Sequence, residues 1–203
     1  MNRNSALIWL PKIEALGLPT PKTIMMPYDH IGFVAGLEGN TNYDPLPIYK
    51  TVTAACEKIG WPCFIRTDLA SAKHSGPQAY LADNPASVPR VICRTVEDSE
   101  MKFWRERDPP QAFMVREFLT LDYSFTAFNG LPIAREWRFF ADGERILCFH
   151  PYWLRKAFEG RVKHKGWAKI LAQHHEKPSC FDDLAEMAIK AADVCGGDWS
   201  VDF

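Results

Sequence analysis

The amino-acid sequence predicts an α+β protein whose sheets are mostly antiparallel. Helix-like and strand-like segments alternate along the first half of the 203-residue chain, and the second half is rich in short apolar runs of the strand type. Two dipeptides typical of tight hairpin turns, Asn129-Gly130 and Asp142-Gly143, separate some of these runs. Hydrophobic residues make up 47% of the chain and charged residues 24%, which is the balance of a folded globular protein.

Turn-forming residues divide the first half of the chain into short elements. Proline is tolerated in the first turn of a helix and glycine commonly ends one, so residues 8–16 and 46–59 are predicted helices. Apolar runs next to proline predict strands over residues 23–26 and 62–66. Three glycines and two asparagines between residues 32 and 42 predict a loop.

The second half is expected to be mainly β-structure closed by one clear helix. Strands are predicted over residues 91–93, 113–119, 125–128, 133–140 and 145–149. The final helix is expected to be capped by Asp182 or Asp183. Apolar side chains follow at helical spacing as far as Cys195, and two glycines come after it. A last strand begins at Trp199. We divide the chain into an N-terminal region, residues 1–111, and a C-terminal region, residues 112–203.

Composition limits the classes of function and the compartment. The chain has 24 basic and 25 acidic residues, a balance that is not typical of a dedicated nucleic-acid coat protein. No stretch approaches the roughly 18 apolar residues of a membrane span, and the apolar run 6–10 is too short for a signal peptide. The six cysteines are dispersed and contain no Cys-x-x-Cys pair. We therefore expect a cytoplasmic protein with free thiols and no membrane partner.

Charged residues interrupt the predicted strands. Arg66 ends one apolar run, and Arg116 and Glu117 interrupt another, where they point to opposite faces. Glu136 and Arg138 share a face of the strand predicted over 133–140, so they form either an ion pair or part of a ligand site. Several strands that each carry an arginine or a glutamate favour a sheet lined for a polyanion.

The segment after Arg66 is predicted to be a mobile loop. Residues 67–76 are rich in hydroxyl groups and include Lys73, so the loop can fold over phosphates, and a solvated surface loop is the alternative. The sequence lacks the P-loop, dinucleotide-binding, zinc-protease and serine-hydrolase motifs. His174, His175 and Glu176 are possible metal ligands, although adjacent histidines in a polar segment favour solvent exposure.

The order of these segments resembles the ATP-grasp superfamily, and in particular the compact ATP-grasp proteins carried by bacteriophages. The resemblance spans nearly the whole chain. The matching segments are residues 9–23, 60–75, 115–119, 136–140, 150–153 and 199–203. It implies two α+β lobes with mostly antiparallel sheets that grip a nucleotide between them.

The resemblance also implies roles for individual residues in ATP binding. Arg66 would meet the phosphates, where many relatives have lysine, and Ser71 and Lys73 would belong to the loop that covers them. The segment that holds adenine would consist of Glu117, Phe118 and Leu119. Asp122 or Ser124 would reach the ribose.

Two further residues would carry the chemistry. Arg138 matches an arginine that steadies the transferred phosphoryl group, and Asp202 matches the first acidic ligand of Mg²⁺. Members of the superfamily continue into another strand with a second acidic ligand, whereas this sequence ends at Phe203. We expect the sequence to be a piece of a longer protein, the alternative being a degenerate domain.

The resemblance implies an ATP- and Mg²⁺-dependent ligase that joins a carboxylate to an amine through an acyl-phosphate. Its substrate would be a small molecule, a peptide or a protein, and its compartment the cytoplasm, that of the host if the protein is phage-encoded. A phosphotransferase or RNA-modifying enzyme is the first alternative, since basic residues interleave with aromatic ones between 155 and 169. For that segment a solvated basic face is the plainer interpretation. A nucleotide-binding module without turnover is the second alternative.

Overall fold

The computed structural model describes residues 2–69, 80–106, 108–128 and 130–203, apart from the side chains of residues 102–106. The chain folds as two compact units. Unit 1 consists of Met1–Pro11 and Pro19–Leu119, and unit 2 consists of Lys12–Leu18 and Thr120–Phe203. The described strand pairs are all antiparallel.

Unit 1 is built on a four-stranded sheet in the order β1-β4-β2-β3. The strands are β1 (Thr23–Pro27), β2 (Cys63–Thr67), β3 (Leu81–Ala82) and β4 (Ala112–Glu117). The helices of this part of the chain are α1 (Ala6–Ala15), α2 (His30–Leu37), α3 (Leu46–Ile59) and α4 (Val88–Glu106). Strand β4, which the predicted division at 111 and 112 assigns to the C-terminal region, pairs here with β1 and β2.

Helix α2 corrects the loop predicted around its glycines. Asp29 caps the helix, and its side chain accepts a hydrogen bond from the N–H of Gly32 at 3.1 Å. A Cβ atom at Gly36 would lie 2.7 Å from the carbonyl oxygen of Tyr43. The glycine therefore permits close packing of the following segment on the helix, and it does not mark a turn.

Helix α4 corrects the strand predicted over residues 91–93. The β-branched residues of this segment favour a strand, but burial recurs with a helical period. The buried positions are Val88, Val91, Ile92, Thr95, Val96 and Ser99. The buried positions recur at helical spacing over three turns, and this side of α4 packs into the core of unit 1.

Unit 2 contains two separate sheets. The first pairs β5 (Tyr123–Ala127) with β6 (Leu131–Ala134), and the second has the order β8-β7-β9. Its strands are β7 (Trp137–Ala141), β8 (Ile146–Pro151) and β9 (Trp199–Asp202), and the helices of the unit are α5 (Trp167–His174) and α6 (Phe181–Cys195).

The single strand predicted over residues 133–140 is wrong. The chain leaves the first sheet after Ala134 and joins the second at Trp137, so β6 and β7 pair with different neighbours. The sequence suggested that side chains alternate between the two faces of one strand through residues 135 and 136, and this alternation is therefore interrupted. The predicted hairpin at Asp142-Gly143 is confirmed, since Asp142 accepts the N–H groups of Glu144 and Arg145 and joins β7 to β8.

The predicted helices over 46–59 and before Gly196, and the strands near 23–26, 62–66 and 199, are confirmed. The predicted cap of the last helix is wrong, because Cys180 is the N-cap and Asp182 and Asp183 lie in the first turn. In the described part of the chain, no helix is both long and apolar enough to cross a bilayer.

Candidate functional site

The two faces of the sheet of unit 1 differ in burial along β2. Along β2, Cys63, Ile65 and Thr67 are buried, whereas Phe64 and Arg66 are only half-buried. The core packs against the buried set and includes residues of α3 and α4. Because side chains alternate along a strand, Arg66 projects from the face of the sheet opposite that core.

Arg66 has an unsatisfied hydrogen-bond donor. Among the described residues its Nε is buried and has no hydrogen-bond partner, while its guanidinium carbon lies 5.7 Å from the centre of the Phe64 ring. Burial lowers the pKa of the guanidinium below its ordinary value, but an arginine remains charged at neutral pH. A buried donor without an acceptor costs roughly 1–3 kcal/mol, so the side chain is suited to an anionic oxygen.

Arg116 lies on the same face. The sequence analysis counts it among the charged residues of the strands, but the resemblance gives it no role in ATP binding. The register pairs Arg116 with Phe64, and pairs Met114 with Arg66. The two arginines are therefore diagonal neighbours on adjacent strands, within reach of one extended anion. Arg116 donates from Nε to the hydroxyl of Thr23 at 3.3 Å. Only the register between β2 and β4 identifies this neighbour, because alternation alone does not say which face of β4 meets Arg66.

The segment predicted to hold adenine lies at the end of β4. Glu117 accepts a hydrogen bond from the backbone N–H of Lys22 at 2.6 Å, so its carboxylate is occupied in holding β1 beside β4. Phe118 and Leu119 are exposed, and the Phe118 ring lies 5.5 Å from that of Phe64. Exposed apolar side chains beside two arginines provide a surface that suits a planar base with attached phosphates.

The predicted phosphate-covering residues Ser71 and Lys73 lie outside the described residues, as does most of the predicted mobile loop. Their roles remain predictions.

In unit 2, Arg138 and Asp202 are cross-strand partners on β7 and β9. Arg138 donates to both carboxylate oxygens, from Nε at 2.6 Å and from Nη2 at 2.7 Å. The hydrogen bond to Asp202 is the main cause that raises the pKa of Arg138. Its guanidinium also lies over the ring of Tyr152, 4.6 Å from the ring centre. The structure thus brings together two residues for which the resemblance implies separate roles.

This pairing bears on the ion pair suggested between Glu136 and Arg138. Arg138 makes its bidentate ion pair with Asp202, while Glu136 accepts a hydrogen bond from the indole N–H of Trp153 at 2.9 Å. The side chains of Arg138 and Asp202 are each 31% exposed, so the pair is accessible to a ligand.

The described residues do not by themselves make a Mg²⁺ site. No group of three or more histidine, cysteine, aspartate or glutamate side chains is placed to hold a metal within the described ranges. Asp202 is one carboxylate, and both of its oxygens accept from Arg138. Magnesium is commonly bound by one or two carboxylates together with substrate phosphates, so Asp202 is at most part of such a set.

Asp122 and Ser124, the two candidates for the ribose, are both exposed. The Ser124 hydroxyl lies 2.9 Å from Nε2 of His174. Contrary to the expected solvent exposure, His174 is buried, and burial lowers the pKa of its imidazole. His175 lies 2.8 Å through Nε2 from the carbonyl oxygen of Trp153. Both rings thus have structural partners in unit 2.

Comparison with solved structures gives the fold. No protein-family model and no curated protein matches the chain. The structure of C-terminally truncated Cdc123 from Schizosaccharomyces pombe is similar with a TM-score of 0.60 and 12% identity, over 98% of this chain and 77% of that one. A RimK domain ATP-grasp protein from Sphaerobacter thermophilus matches with a TM-score of 0.49 and 13% identity, over 98% of this chain and 53% of that one. The predicted α+β fold is confirmed, and the chain shares it with Cdc123.

Proposed function

We propose that this chain binds ATP and uses it to join a carboxylate to an amine through an acyl-phosphate. The observation that carries the proposal is the face of the unit 1 sheet that bears Arg66. There a buried guanidinium N–H has no acceptor among the described residues and lies beside a second arginine and exposed apolar side chains. A planar guanidinium group can donate two parallel hydrogen bonds to the oxygens of one phosphate. Arg66 and Arg116 therefore suit the anionic part of a nucleotide.

The residues of this chain would act by positioning and by neutralising charge. Phosphoryl transfer needs little covalent chemistry from the protein, so no serine or cysteine nucleophile is required. Arg138 is held in a fixed orientation by Asp202 and Tyr152, and a fixed cation stabilises charge that develops on a phosphoryl group in the transition state. ATP would enter as its Mg²⁺ complex, and Asp202 would contribute one carboxylate to that ion. We propose that the reaction takes place in the cytoplasm, a reducing compartment in which the six cysteines would stay free thiols.

The test is a product analysis that begins with binding. Purified protein is titrated with ATP by calorimetry and is then incubated with ATP, Mg²⁺ and pools of carboxylates and amines. The ligase proposal requires release of both ADP and inorganic phosphate that depends on an acceptor. ADP without phosphate, with a phosphorylated acceptor, would identify a phosphotransferase. Tight binding without turnover would identify a nucleotide-binding module, and absence of binding would overturn the whole proposal.

A further inference from the structure

The basic segment of unit 2, defined as residues 155–169, exposes every one of its cations. They are Arg155, Lys156, Arg161, Lys163, Lys165 and Lys169. The segment contains one carboxylate, Glu159, so its formal net charge is +5, whereas the whole chain has a net charge of −1. None of these six cations forms an ion pair with a described carboxylate.

The segment is held in a defined conformation by its apolar side chains. Phe158 is fully buried and packs against the rings of Phe125, Phe128 and Trp167, with ring centres 5.2–5.7 Å apart. The backbone N–H of Phe128 donates to the carbonyl oxygen of Arg161 at 3.2 Å. The cations are therefore presented from an anchored backbone, and little ordering of the backbone is needed when an anion binds.

This arrangement is unfavourable for the isolated chain. Like charges repel one another, and Lys165 and Lys169 flank the beginning of α5, where the helix dipole disfavours cations. Surface cations that serve only solubility are usually mixed with carboxylates, which are nearly absent here. A polyanionic partner would compensate this charge arrangement, which the described carboxylates leave unpaired.

The inward position of the aromatic rings indicates how such a partner would be bound. The sequence pattern, basic residues interleaved with aromatic ones, also fits a single strand whose bases stack on exposed rings. Phe158 is buried and Trp167 is half-buried in the core of the unit, so stacking platforms are not offered. What remains at the surface is positive charge. A nucleic-acid duplex has about one phosphate charge per 1.7 Å of its axis and so presents a higher density of phosphates than a single strand does.

We propose that the basic segment is a docking surface for the phosphate backbone of a nucleic-acid duplex, independent of the proposed ATP site. Binding is expected to depend little on base sequence, because the contacts are made by charge. Duplex RNA and duplex DNA present the same phosphate chemistry, and the experiment separates them.

Fluorescence anisotropy with labelled 20-base-pair duplexes tests the proposal. We expect micromolar or tighter binding at about 50 mM salt, and a loss of affinity of about a hundredfold at 200 mM if four of the six cations meet phosphates. Lys163→Gln, Lys165→Gln and Lys169→Gln together should weaken binding at least tenfold and reduce the slope of log affinity against log salt by about 3.

A matched control separates this surface from net charge. Lys50→Gln, Lys58→Gln and Arg90→Gln remove the same charge from exposed positions in unit 1, and we expect them to change affinity less than twofold. Equal losses from both triple variants would overturn the proposal. So would tighter binding of a labelled polyglutamate than of either duplex, which would indicate an acidic polypeptide partner, or absence of binding at 50 mM salt.

Hydrogen exchange on the unaltered chain gives a second measurement that does not depend on variants. Duplex binding should slow exchange within residues 155–169, and protection confined to unit 1 would contradict the proposal.

Discussion

At the scale of single residues, Arg138 has two possible roles that experiment can separate. A surface ion pair contributes roughly 0–1 kcal/mol to stability, so the pair with Asp202, whose partners are each 31% exposed, is a weak structural device. A fixed cation beside a reacting phosphoryl group is worth far more to the rate of the reaction. The same side chain is therefore expected to matter much more for turnover than for folding.

Arg138→Lys keeps the charge but removes the planar, two-pronged contact with Asp202. We expect turnover to fall about a hundredfold or more, the scale for losing one preorganised donor, with little change in the free energy of unfolding. ATP turnover and denaturant titrations measure the two quantities. Lys190→Met is the control, because its exposed ion pair with Glu186 on α6 is structural. Parallel losses of stability and turnover would assign Arg138 to the ion pair alone.

The arginines of unit 1 differ from Arg138 in that they are expected to act in binding. Arg66→Ala removes the unsatisfied Nε and should weaken ATP binding by about ten- to a hundredfold, the scale of a hydrogen bond to a charged group. Arg116→Ala should have an effect of the same sign. Calorimetry with ATP and with adenosine checks this, since the variants should bind adenosine as the unaltered chain does. A loss of affinity for adenosine as large as that for ATP would mean that the arginines support the fold of the face.

At the scale of elements, helix α2 shows where steric contact overrides helix propensity. Alanine is the better helix former by about 1 kcal/mol, yet a Cβ at residue 36 would lie 2.7 Å from the Tyr43 carbonyl oxygen and 3.1 Å from its ring. We expect Gly36→Ala to destabilise the protein by about 1–3 kcal/mol in urea titrations. Ala54→Gly, at an exposed position of α3, is the control, because it measures the effect of helix propensity on stability without a steric contact. A stabilising Gly36→Ala would show that the segment around Tyr43 moves away freely.

Helix α5 should make the stability of unit 2 depend on pH through His174. Burial is the main cause that lowers the pKa of His174, and electrostatic interactions with Arg135 and His175 act in the same direction. The unfolded chain therefore binds this proton more readily than the folded chain. The contribution to stability is complete above the ordinary histidine pKa of about 6.5 and is lost as the pH falls toward the folded-state pKa.

We expect the urea midpoint to decrease between about pH 7.5 and pH 5, and His174→Phe to flatten part of this decrease. Both His174 and His164 stack on Phe125, but His164 is exposed, so His164→Phe is the matched control. An unchanged pH profile in His174→Phe would place the titrating group elsewhere.

At the scale of the whole molecule, the sequence predicted the elements whose signals are local. Proline and glycine marked the ends of α3, and acidic residues and a helical stripe marked α6. The predictions were wrong where tertiary contacts determine the local structure. Gly36 serves the packing of Tyr43, and the strand predicted over 133–140 divides between two sheets.

For the candidate site, too, the sequence indicates individual residues but not which of them lie side by side. The resemblance to ATP-grasp proteins pointed to Arg66, Arg138 and Asp202, whose types and order are visible in the sequence. The pairing of Arg138 with Asp202, and the place of Arg116 beside Arg66, depend on strand register between segments far apart in the chain. Register follows from the whole set of buried side chains and turns, and a single segment does not contain it.

Nucleotide binding should be visible in the unfolding of the whole chain. A ligand that binds the folded state and not the unfolded state stabilises the folded state by about 2.7 kcal/mol at a hundred times its dissociation constant. If Arg66 and Arg116 hold phosphates, ATP at a fixed concentration should raise the melting temperature more than ADP, and ADP more than AMP. In Arg66→Ala the three nucleotides should differ less, because the lost contact is made to phosphate and not to the base. Differential scanning calorimetry with Mg²⁺ present measures the series. Equal shifts with all three nucleotides would show that the arginine face does not bind phosphates, even if the base is bound.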